Sequence, residues 1–465
     1  MVFSSTIFLF IFLPATLLIY YNPIFTSRNF KNNFLLLASL IFYAWGEPLF
    51  VFLMILSIIV GWFAGLKIAK SITPTQRRRH LILAVGFHVG ILFIFKYLTF
   101  AASQFGLLLN QDFSFIKIAL PIGISFFTFQ LLSYLFDVYY RKAEAQESIL
   151  RLGLYIALFP QLIAGPIVRY DNIKDQILNR AENLSSFSEG MLQFIYGLGK
   201  KLLVANYMAQ IADNIFDAGS VEMSVATAWF GAVAYTLQIY FDFSGYSDMA
   251  IGLGKMFGFK FPENFNYPYI SRSATEFWRR WHISLGTWFR DYVYIPLGGN
   301  RVSKQRWILN VFTVWALTGI WHGANWTFIF WGLYYFVLLI FEKFTGFADK
   351  IGRISHLYAI TIVILSWVIF RSPNITFAAH YMEIMFGIGA AHLTDEVFFY
   401  YLWNSRVILF AAILLCMPIF PYVMKKLEYL NLRKTVEPVM ATCIFLLSLI
   451  AAISATYNPF IYFNF

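Results

Sequence analysis

The sequence predicts an all-α polytopic membrane protein, and two observations carry that prediction. Of its 465 residues, 59% are hydrophobic and only 13% are charged, and the mean hydropathy is +0.65. Ordinary soluble domains contain about 25% charged residues. Apolar runs that approach the roughly 20 residues an α-helix needs to cross a bilayer recur along the chain. We therefore expect about a dozen transmembrane or re-entrant helices in one integral domain over residues 1–465.

Each predicted membrane segment is an apolar run, and some runs are short enough to be tilted or re-entrant. The first run begins almost at Met1 and has no basic stretch before it, so we expect a retained span rather than a cleaved signal peptide. The predicted segments are 6–21, 34–69 (two passes), 81–99, 118–138, 150–168, 188–210, 225–243, 307–320, 326–342, 356–370, 405–423 and 438–456.

The basic residues lie mostly in short loops between these runs, where they predict orientation. Loop 67–80 (KIAKSITPTQRRRH) is the most basic, and loop 141–151 is also rich in basic residues, so we expect both in the cytoplasm. Residues 372–402 contain no Lys or Arg and are expected outside. Counting passes back from loop 67–80 places the N-terminus outside the cytoplasm. Because topology accounts for the net charge of +11, we expect no nucleic-acid partner.

Neither cysteine indicates a metal or redox site. Cys416 and Cys443 both lie within apolar runs, which predicts neither a disulfide framework nor a zinc site. We expect no bound metal.

Ionisable residues inside membrane segments are rare and costly, so they locate candidate sites. Asp242 and Asp248 interrupt the stretch LQIYFDFSGYSDMAIGLGKMFGF (237–259), together with small polar residues and glycines. Six residues apart, the two carboxylates would not share a face of a continuous helix, and Gly245 makes a break between them plausible. They either pair with basic residues to fix the fold or take part directly in catalysis.

A second candidate site is the segment EFWRRWHISLGTWFRDYVYIPLGGNR (276–301), which mixes charged and aromatic side chains. This density of charge and aromatic rings is typical of an interfacial or re-entrant segment. Its Arg279 and Arg280, next to Trp278, suit a phosphate-bearing cofactor or lipid, because guanidinium groups bind phosphate in two-pronged fashion. The alternative is a membrane-surface helix held by ordinary snorkelling of its charged side chains.

The stretch ALTGIWHGANWTFIFWG (316–332) places His322 and Asn325 among apolar and aromatic residues. Basic residues flank 307–320 and 326–342 on their far sides, so we expect a helical hairpin with its apex in or near the outer half of the membrane. Nearby residues favour a functional site over a plain core histidine: glycines give backbone space and tryptophans exclude water. These are Gly319, Gly323, Trp321, Trp326 and Trp331.

Together these residues resemble the bacterial branch of the membrane-bound O-acyltransferase family. The resemblance runs in order through most of the chain. The motifs that carry it are MVFSSTIFLFIFLP (1–14), YAWGEP (43–48), FKYLTF (95–100), LPIGISFFTFQLLSYLFDVYY (120–140), FPQLIAGPIVRY (159–170), YFDFSGYSDMAIGLGKMFGF (240–259), EFWRRWHISLGTWFRDYVYIPLGGNR (276–301) and TGIWHGANWTFIFWG (318–332).

The resemblance implies helices around a central catalytic funnel, open from each side of a thin membrane core. His322 matches the family's catalytic histidine, and His282 matches the second histidine of this branch. His322 is then the candidate base for acyl transfer from a thioester to a hydroxyl. Asn325 or His282 would orient it or stabilise the oxyanion, and the arginine pair would hold the phosphates of coenzyme A. The WHGANW motif offers no Ser or Cys for a covalent acyl-enzyme.

The function implied by the resemblance is an O-acetyltransferase of the bacterial inner membrane. It would move acetyl from cytoplasmic acetyl-CoA to an extracytoplasmic, alginate-like cell-envelope polysaccharide. Transfer is expected to be direct or through a periplasmic acetyltransferase partner of the serine-hydrolase-like SGNH type. Three alternatives remain open: O-acetylation of peptidoglycan or cellulose, D-alanyl transfer to teichoic acid, and a non-enzymatic transporter or flippase. A transporter would predict inverted hydropathy repeats, and none is visible.

Overall fold

The computed structural model describes residues 1–113, 115–218 and 223–454, and in these residues the regular secondary structure is helical. The helices of the first half are α1 (Leu13–Tyr20), α2 (Arg28–Ala44), α3 (Phe50–Ala69), α4 (Pro74–Leu92), α5 (Leu98–Leu109), α6 (Ile124–Tyr139), α7 (Ile149–Ala157), α8 (Phe159–Leu162), α9 (Tyr170–Asn179), α10 (Leu184–Gly199) and α11 (Asn206–Asp217). Short π-helical turns join α4 to α5 and α10 to α11.

The second half continues in the same way, with short 3-10 turns at Pro268–Ile270 and Gly352–Ile354. Its helices are α12 (Val225–Met256), α13 (Ala274–Arg280), α14 (Ile283–Phe289), α15 (Lys304–His322), α16 (Trp326–Thr345), α17 (Phe347–Lys350), α18 (Ser355–Arg371), α19 (Ile375–Met385), α20 (Glu396–Leu415), α21 (Ile419–Tyr429) and α22 (Arg433–Ser454).

Several of these helices have the length and apolar composition of membrane spans, which confirms the prediction of an all-α polytopic membrane protein. Phe8–Tyr20 and Ile124–Tyr139 are shorter apolar helices. The end of the predicted segment 438–456 lies outside the described residues. Among the residues described, six helices are long and apolar enough to cross a membrane: Phe50–Ala69, Pro74–Leu109, Trp326–Thr345, Gly352–Arg371, Glu396–Leu415 and Arg433–Ser454.

The predicted single segment 150–168 is wrong, because the chain leaves helical geometry at Leu158 (φ −52°, ψ 111°). α7 ends before this residue and the short α8 begins after it. Pro160 lies in the first turn of α8, where the missing backbone N–H of proline costs least. Two short helices therefore replace the expected span.

The break predicted near Gly245 is also wrong, since α12 continues from Val225 to Met256 without interruption. A Cβ added at Gly245 would lie 2.8 Å from the carbonyl oxygen of Gly197 and 3.1 Å from the backbone nitrogen of Lys201. The glycine therefore permits close approach of two helix backbones, as small residues commonly do in membrane helix pairs.

Chain contacts divide the described residues into two compact units. The first contains Met1–Phe194 and Ser247–Pro262, and the second contains Ile195–Tyr246 and Glu263–Phe465 up to the last described residue. The single integral domain over 1–465 stays a prediction.

The first unit is organised around α6, whose side chains are almost all buried. It is mostly apolar, and even its polar residues, such as Gln130 and Ser133, are buried, so other helices enclose it. α3 and α4 pack against it. A Cβ at Gly61 of α3 would lie 2.6 Å from the Leu131 side chain, so the two helices approach at a glycine.

The second unit holds both candidate histidines. α15 and α16 form the predicted hairpin, α18 packs beside α16, and α13 contacts α14, α16 and α18. This arrangement brings the 276–301 segment and the 316–332 stretch, which are distant in sequence, into one core.

Candidate active site

The hairpin of α15 and α16 fixes the position of His322. α15 ends at His322, and α16 begins at Trp326 after a three-residue connection. Asn325 caps α16: its Oδ1 accepts a hydrogen bond from the Thr327 backbone N–H at 3.1 Å, and its Nδ2 donates to the Pro373 carbonyl oxygen at 3.0 Å. Both ends of the Asn325 amide are therefore engaged in holding the turn.

Two glycines let the hairpin close. A Cβ on Gly319 would lie 2.5 Å from the Phe328 carbonyl oxygen, and one on Gly332 would lie 2.5 Å from the Trp315 carbonyl oxygen. Neither position admits a larger side chain without a backbone shift. The short distance between α15 and α16 therefore depends on these two residues.

Aromatic rings enclose the His322 imidazole. Its ring centroid lies 4.8 Å from that of Trp321, 4.9 Å from Trp331 and 5.2 Å from Phe370, each in an edge-to-face arrangement. His322 is 6% exposed and Trp331 is fully buried. Trp326 differs from the expectation that it excludes water, because it is 48% exposed. Phe370 of α18 contributes the third ring of the wall.

His282 lies in a backbone conformation that non-glycine residues seldom adopt (φ 45°, ψ 53°), immediately before α14. Its Nδ1 is 3.0 Å from Oδ1 of Asn264. The same oxygen accepts hydrogen bonds from the Ser284 backbone N–H at 3.2 Å and from the Ser284 hydroxyl at 2.8 Å. In addition, the Ile283 N–H donates to the Asn264 backbone carbonyl at 2.9 Å. Asn264 thus holds the left-handed turn in place.

These hydrogen bonds determine which nitrogen of His282 carries the proton. A backbone N–H can only donate, so the Asn264 atom facing Ser284 must be the amide oxygen. His282 must then donate to that oxygen through Nδ1–H. In the neutral imidazole this leaves a lone pair on Nε2.

His282 is only 1% exposed, and its buried Nε2 has no hydrogen-bond partner among the described residues. The same holds for Nε1 of Trp278 and Nδ2 of Asn264. Orphaned buried polar atoms are uncommon in folded proteins and often mark a site that receives a ligand. Nε1 of Trp331, which lies against Trp278 and His322, is a further buried donor without a partner among the described residues.

Tryptophans connect the two histidines. The Trp321 ring lies 6.1 Å from the His282 ring and 4.8 Å from that of His322. Trp331, which contacts His322, also lies 5.4 Å from Trp278. Both predicted histidines and the predicted Trp278 and Trp321 therefore belong to one aromatic cluster of the second unit.

The two arginines predicted to bind phosphate have different surroundings. Arg280 is bound to Glu276, with Nη2 and Oε1 2.9 Å apart, and donates to the Asn266 carbonyl oxygen at 3.1 Å. Arg279 is exposed and has no ion pair within the described part of the chain. Arg279 is thus the better placed of the two to meet an anionic ligand.

The two carboxylates have separate partners. Asp242 forms a buried ion pair with Lys201, with Oδ1 and Nζ 2.7 Å apart, so the predicted pairing with a basic residue is observed. Asp248, which belongs to the first unit, accepts a hydrogen bond from Gln193 at 3.2 Å. Within the described ranges, no three His, Cys, Asp or Glu side chains are grouped as metal ligands would be.

Asn264 was not predicted from the sequence. It lies 18 residues before His282 in the loop after α12, and its immediate sequence PENFNYPYI carries no recognisable motif. Ser284, two residues after His282, was the only local sign that a polar network surrounds the ring. The pairing appears only when the loop folds against the start of α14.

Comparison with known proteins places this helical membrane chain in the class of membrane-bound acyltransferases. The model of the membrane-bound O-acyltransferase family matches residues 124–379, a range that includes both histidines. The chain belongs to the membrane-bound O-acyltransferase family, which confirms the resemblance seen in its motifs.

Individual relatives extend over most of the chain. It is 42% identical over 403 residues to the probable alginate O-acetylase AlgI of Pseudomonas putida, covering 85% of this chain and 82% of that protein. It is 35% identical over 434 residues to the peptidoglycan O-acetyltransferase of Helicobacter pylori, covering 85% and 82%. It is 31% identical over 241 residues to the teichoic acid D-alanyltransferase of Bacillus subtilis, covering 48% of this chain and 60% of that protein.

The close approach at Gly332 gives a testable prediction for the site's scaffold. Gly332→Ala is expected to force α15 and α16 apart and to destabilise the protein by about 1–3 kcal/mol, the usual cost of overpacking. The matched control is Gly86→Ala, where an added Cβ meets nothing within 4 Å and alanine is the better helix former. Thermal unfolding in detergent measures both. Equal melting temperatures for the two variants would contradict the close packing.

Proposed function

We propose that this protein is an O-acetyltransferase that delivers acetyl from cytoplasmic acetyl-CoA to hydroxyl groups of an extracytoplasmic polysaccharide. Its similarity over 85% of the chain to probable alginate O-acetylases supports an alginate-like acceptor. The proposed location is the bacterial inner membrane with the N-terminus outside the cytoplasm, in keeping with the distribution of basic loops. The observation that carries the proposed site is the buried His282 imidazole, whose Nε2 lone pair is directed by Asn264 and whose ring is connected to that of His322 through Trp321.

The reaction requires one proton to move as acetyl passes from the coenzyme A sulfur to the acceptor oxygen. The acceptor hydroxyl attacks the thioester carbonyl carbon, and an imidazole takes the hydroxyl proton as the C–O bond forms. The tetrahedral intermediate then expels the coenzyme A sulfur, and the imidazolium returns the proton to that sulfur. The products are an acetate ester and free coenzyme A. We assign the proton transfer to His322, enclosed by three rings that exclude water.

His282 has a different role in this proposal. With Nδ1–H given to Asn264, its Nε2 can accept a hydrogen bond and cannot donate one. It is therefore suited to orient the acceptor by accepting a hydrogen bond from a neighbouring hydroxyl of the substrate, not from the hydroxyl that attacks, rather than to stabilise the oxyanion. The indole N–H of Trp278, buried and without an acceptor among the described residues, is the donor we assign to the oxyanion.

The donor and the partner complete the proposal. Arg279, exposed and not ion-paired in the described structure, is assigned to the coenzyme A phosphates. Since the WHGANW motif offers no Ser or Cys nucleophile, acetyl passes directly to its acceptor. That acceptor is either the polysaccharide or a periplasmic partner of the SGNH type that carries acetyl onward.

His322→Ala tests the proposed base. Acetyl ester on the isolated cell-envelope polysaccharide is expected to fall by about 10²- to 10⁴-fold, the usual contribution of general base catalysis. His380→Ala, which removes a histidine from the exposed surface of α19, is the matched control and should retain acetylation. Unchanged ester content in His322→Ala at normal protein level would contradict the assignment. The polymer that loses acetyl, whether alginate-like or peptidoglycan, identifies the acceptor.

Asn264→Ala tests the orientation of His282. Loss of the oxygen that fixes Nδ1–H should lower the acetylation rate by roughly tenfold or more, because the imidazole can then adopt either tautomer. Asn264→Asp keeps an acceptor oxygen and should recover much of the rate. Asn266→Ala, two residues away with an exposed side chain, is the control. If Asn264→Asp were no more active than Asn264→Ala, the positioning role would be wrong.

The donor assignment predicts a difference between neighbouring arginines. Arg279→Ala should weaken coenzyme A binding about tenfold with little change in melting temperature, as expected for loss of one charge-assisted contact. Arg280→Ala should instead lower the melting temperature, because it removes the pair with Glu276. Calorimetric titration and thermal unfolding distinguish the two effects. Normal binding by purified Arg279→Ala would overturn the phosphate role.

A further inference from the structure

The first unit contains a cavity of about 1020 Å³ lined entirely by its own residues. The connection between α6 and α7 (residues 140–148) forms one wall, and residues of α3, α4, α6, α7 and α9 form the rest of the lining. The volume is at the upper end of the range for small-molecule sites, about 300–1,000 Å³. By the distribution of basic loops, this region is expected on the cytoplasmic side.

Basic side chains outnumber acidic ones around this cavity. The acidic residues are Glu144, Glu147 and Asp175, and the basic residues are Arg77, Arg141, Lys142, Arg151 and Lys174. Of the basic residues, Lys174 is bound to Asp171 at 2.7 Å. Arg141, Lys142 and Arg151 form no ion pair with any described residue. Their charges are therefore available to a ligand.

Arg77 provides a second sign of an anionic ligand. One of its Nη atoms donates to the Val138 carbonyl oxygen at 2.8 Å, and its guanidinium lies over the Tyr139 ring at 5.6 Å. Its Nε is buried and lacks a hydrogen-bond partner in the described structure. The guanidinium is thus held in place while part of its hydrogen-bonding capacity stays unused.

Arg141 occupies a position where glycine would be conformationally easier. Its φ is 59°, in the left-handed region, because the N–H groups of Lys142 and Ala143 both turn back to the Asp137 carbonyl oxygen to close α6. Helices usually end this way with glycine, and another residue costs about 1–2 kcal/mol. Strain of this kind is typical of functional sites. The arginine contributes a cation that glycine would not.

The loop that carries these arginines is preorganised. Oε1 of Gln146 accepts a hydrogen bond from the Ser148 backbone N–H at 3.1 Å, and its Nε2 donates one to the Tyr170 hydroxyl at 3.0 Å. Its backbone N–H donates to the Tyr134 hydroxyl at 3.1 Å. A loop fixed at three points loses little conformational entropy when a ligand binds.

From this geometry we propose that the cavity binds a phosphate-bearing ligand through Arg77, Arg141 and Arg151. Guanidinium groups match phosphate oxygens in two-pronged hydrogen bonds, and the fixed loop presents them together. The phosphate belongs either to a soluble ligand of nucleotide size or to an anionic lipid headgroup. None of the residues that line this cavity is one of the proposed catalytic residues of the second unit.

The test compares two triple variants of the purified full-length protein. Arg77, Arg141 and Arg151 are replaced by Gln in one, and the exposed Lys70, Arg78 and Arg79, which do not line the cavity, are replaced by Gln in the other. Both carry Arg279→Ala, which removes the donor contact proposed above. Coenzyme A binding is measured by calorimetry in phosphatidylcholine nanodiscs. Retention of phosphatidylglycerol is measured by native mass spectrometry.

Coenzyme A binding that is at least about tenfold weaker in the cavity variant than in its control supports a soluble phosphorylated ligand. Loss of phosphatidylglycerol from the cavity variant alone supports a lipid headgroup. If neither measurement separates the two variants, the proposal is overturned. Arg141→Gly separates loss of binding from misfolding. Glycine relieves the left-handed strain, so this variant should be at least as stable as the wild type. It should nevertheless bind coenzyme A or phosphatidylglycerol, whichever the triple variant loses, more weakly. Unchanged binding by this stable variant would also overturn the proposal.

Discussion

Three hydrogen bonds converge on one oxygen, Oδ1 of Asn264, and the candidate site depends on them. They come from the His282 ring and from the backbone and hydroxyl of Ser284. Together they stabilise the left-handed backbone conformation of His282 at the start of α14 and fix the tautomer of its imidazole. They also leave Nε2 without a hydrogen-bond partner among the described residues. In an apolar interior an uncompensated polar atom is costly, so a site of this kind persists only where its neighbours are firmly held.

The hairpin of α15 and α16 solves a related problem for His322. In its proposed role as a base, a histidine at the end of α15 needs space for substrate but protection from water. Close packing at Gly319 and Gly332 brings the helices together, while Trp331 and Phe370 cover the ring from two directions. Asn325 makes the hydrogen bonds of the turn: its amide caps α16 and binds the Pro373 carbonyl oxygen. Backbone packing, aromatic cover and helix capping are thus divided among different residues of one short segment.

Much of this could be predicted from the sequence where the signal is local. The hairpin follows from two apolar runs flanked by basic residues, and both histidines lie within motifs that resemble the family. The contacts that cross between segments could not be predicted. Asn264 meets His282 only after the loop following α12 folds back, and Gly245 looks the same in sequence whether it breaks a helix or admits a neighbour. Trp321 and Trp326 lie in the same motif, yet Trp321 is buried and Trp326 is exposed at the start of α16. Arg279 and Arg280 are adjacent in sequence, but only a helical turn places Glu276 beside the second.

Histidine-selective ¹⁵N NMR of the purified protein tests directly whether Asn264 fixes His282 with a lone pair on Nε2. The His282 signals are assigned from their loss in His282→Gln. We expect a neutral ring with Nδ1 protonated and Nε2 unprotonated in the wild type, and a mixture of tautomers in Asn264→Ala. A wild-type His282 with its proton on Nε2, or a tautomer unaffected by Asn264→Ala, would contradict it.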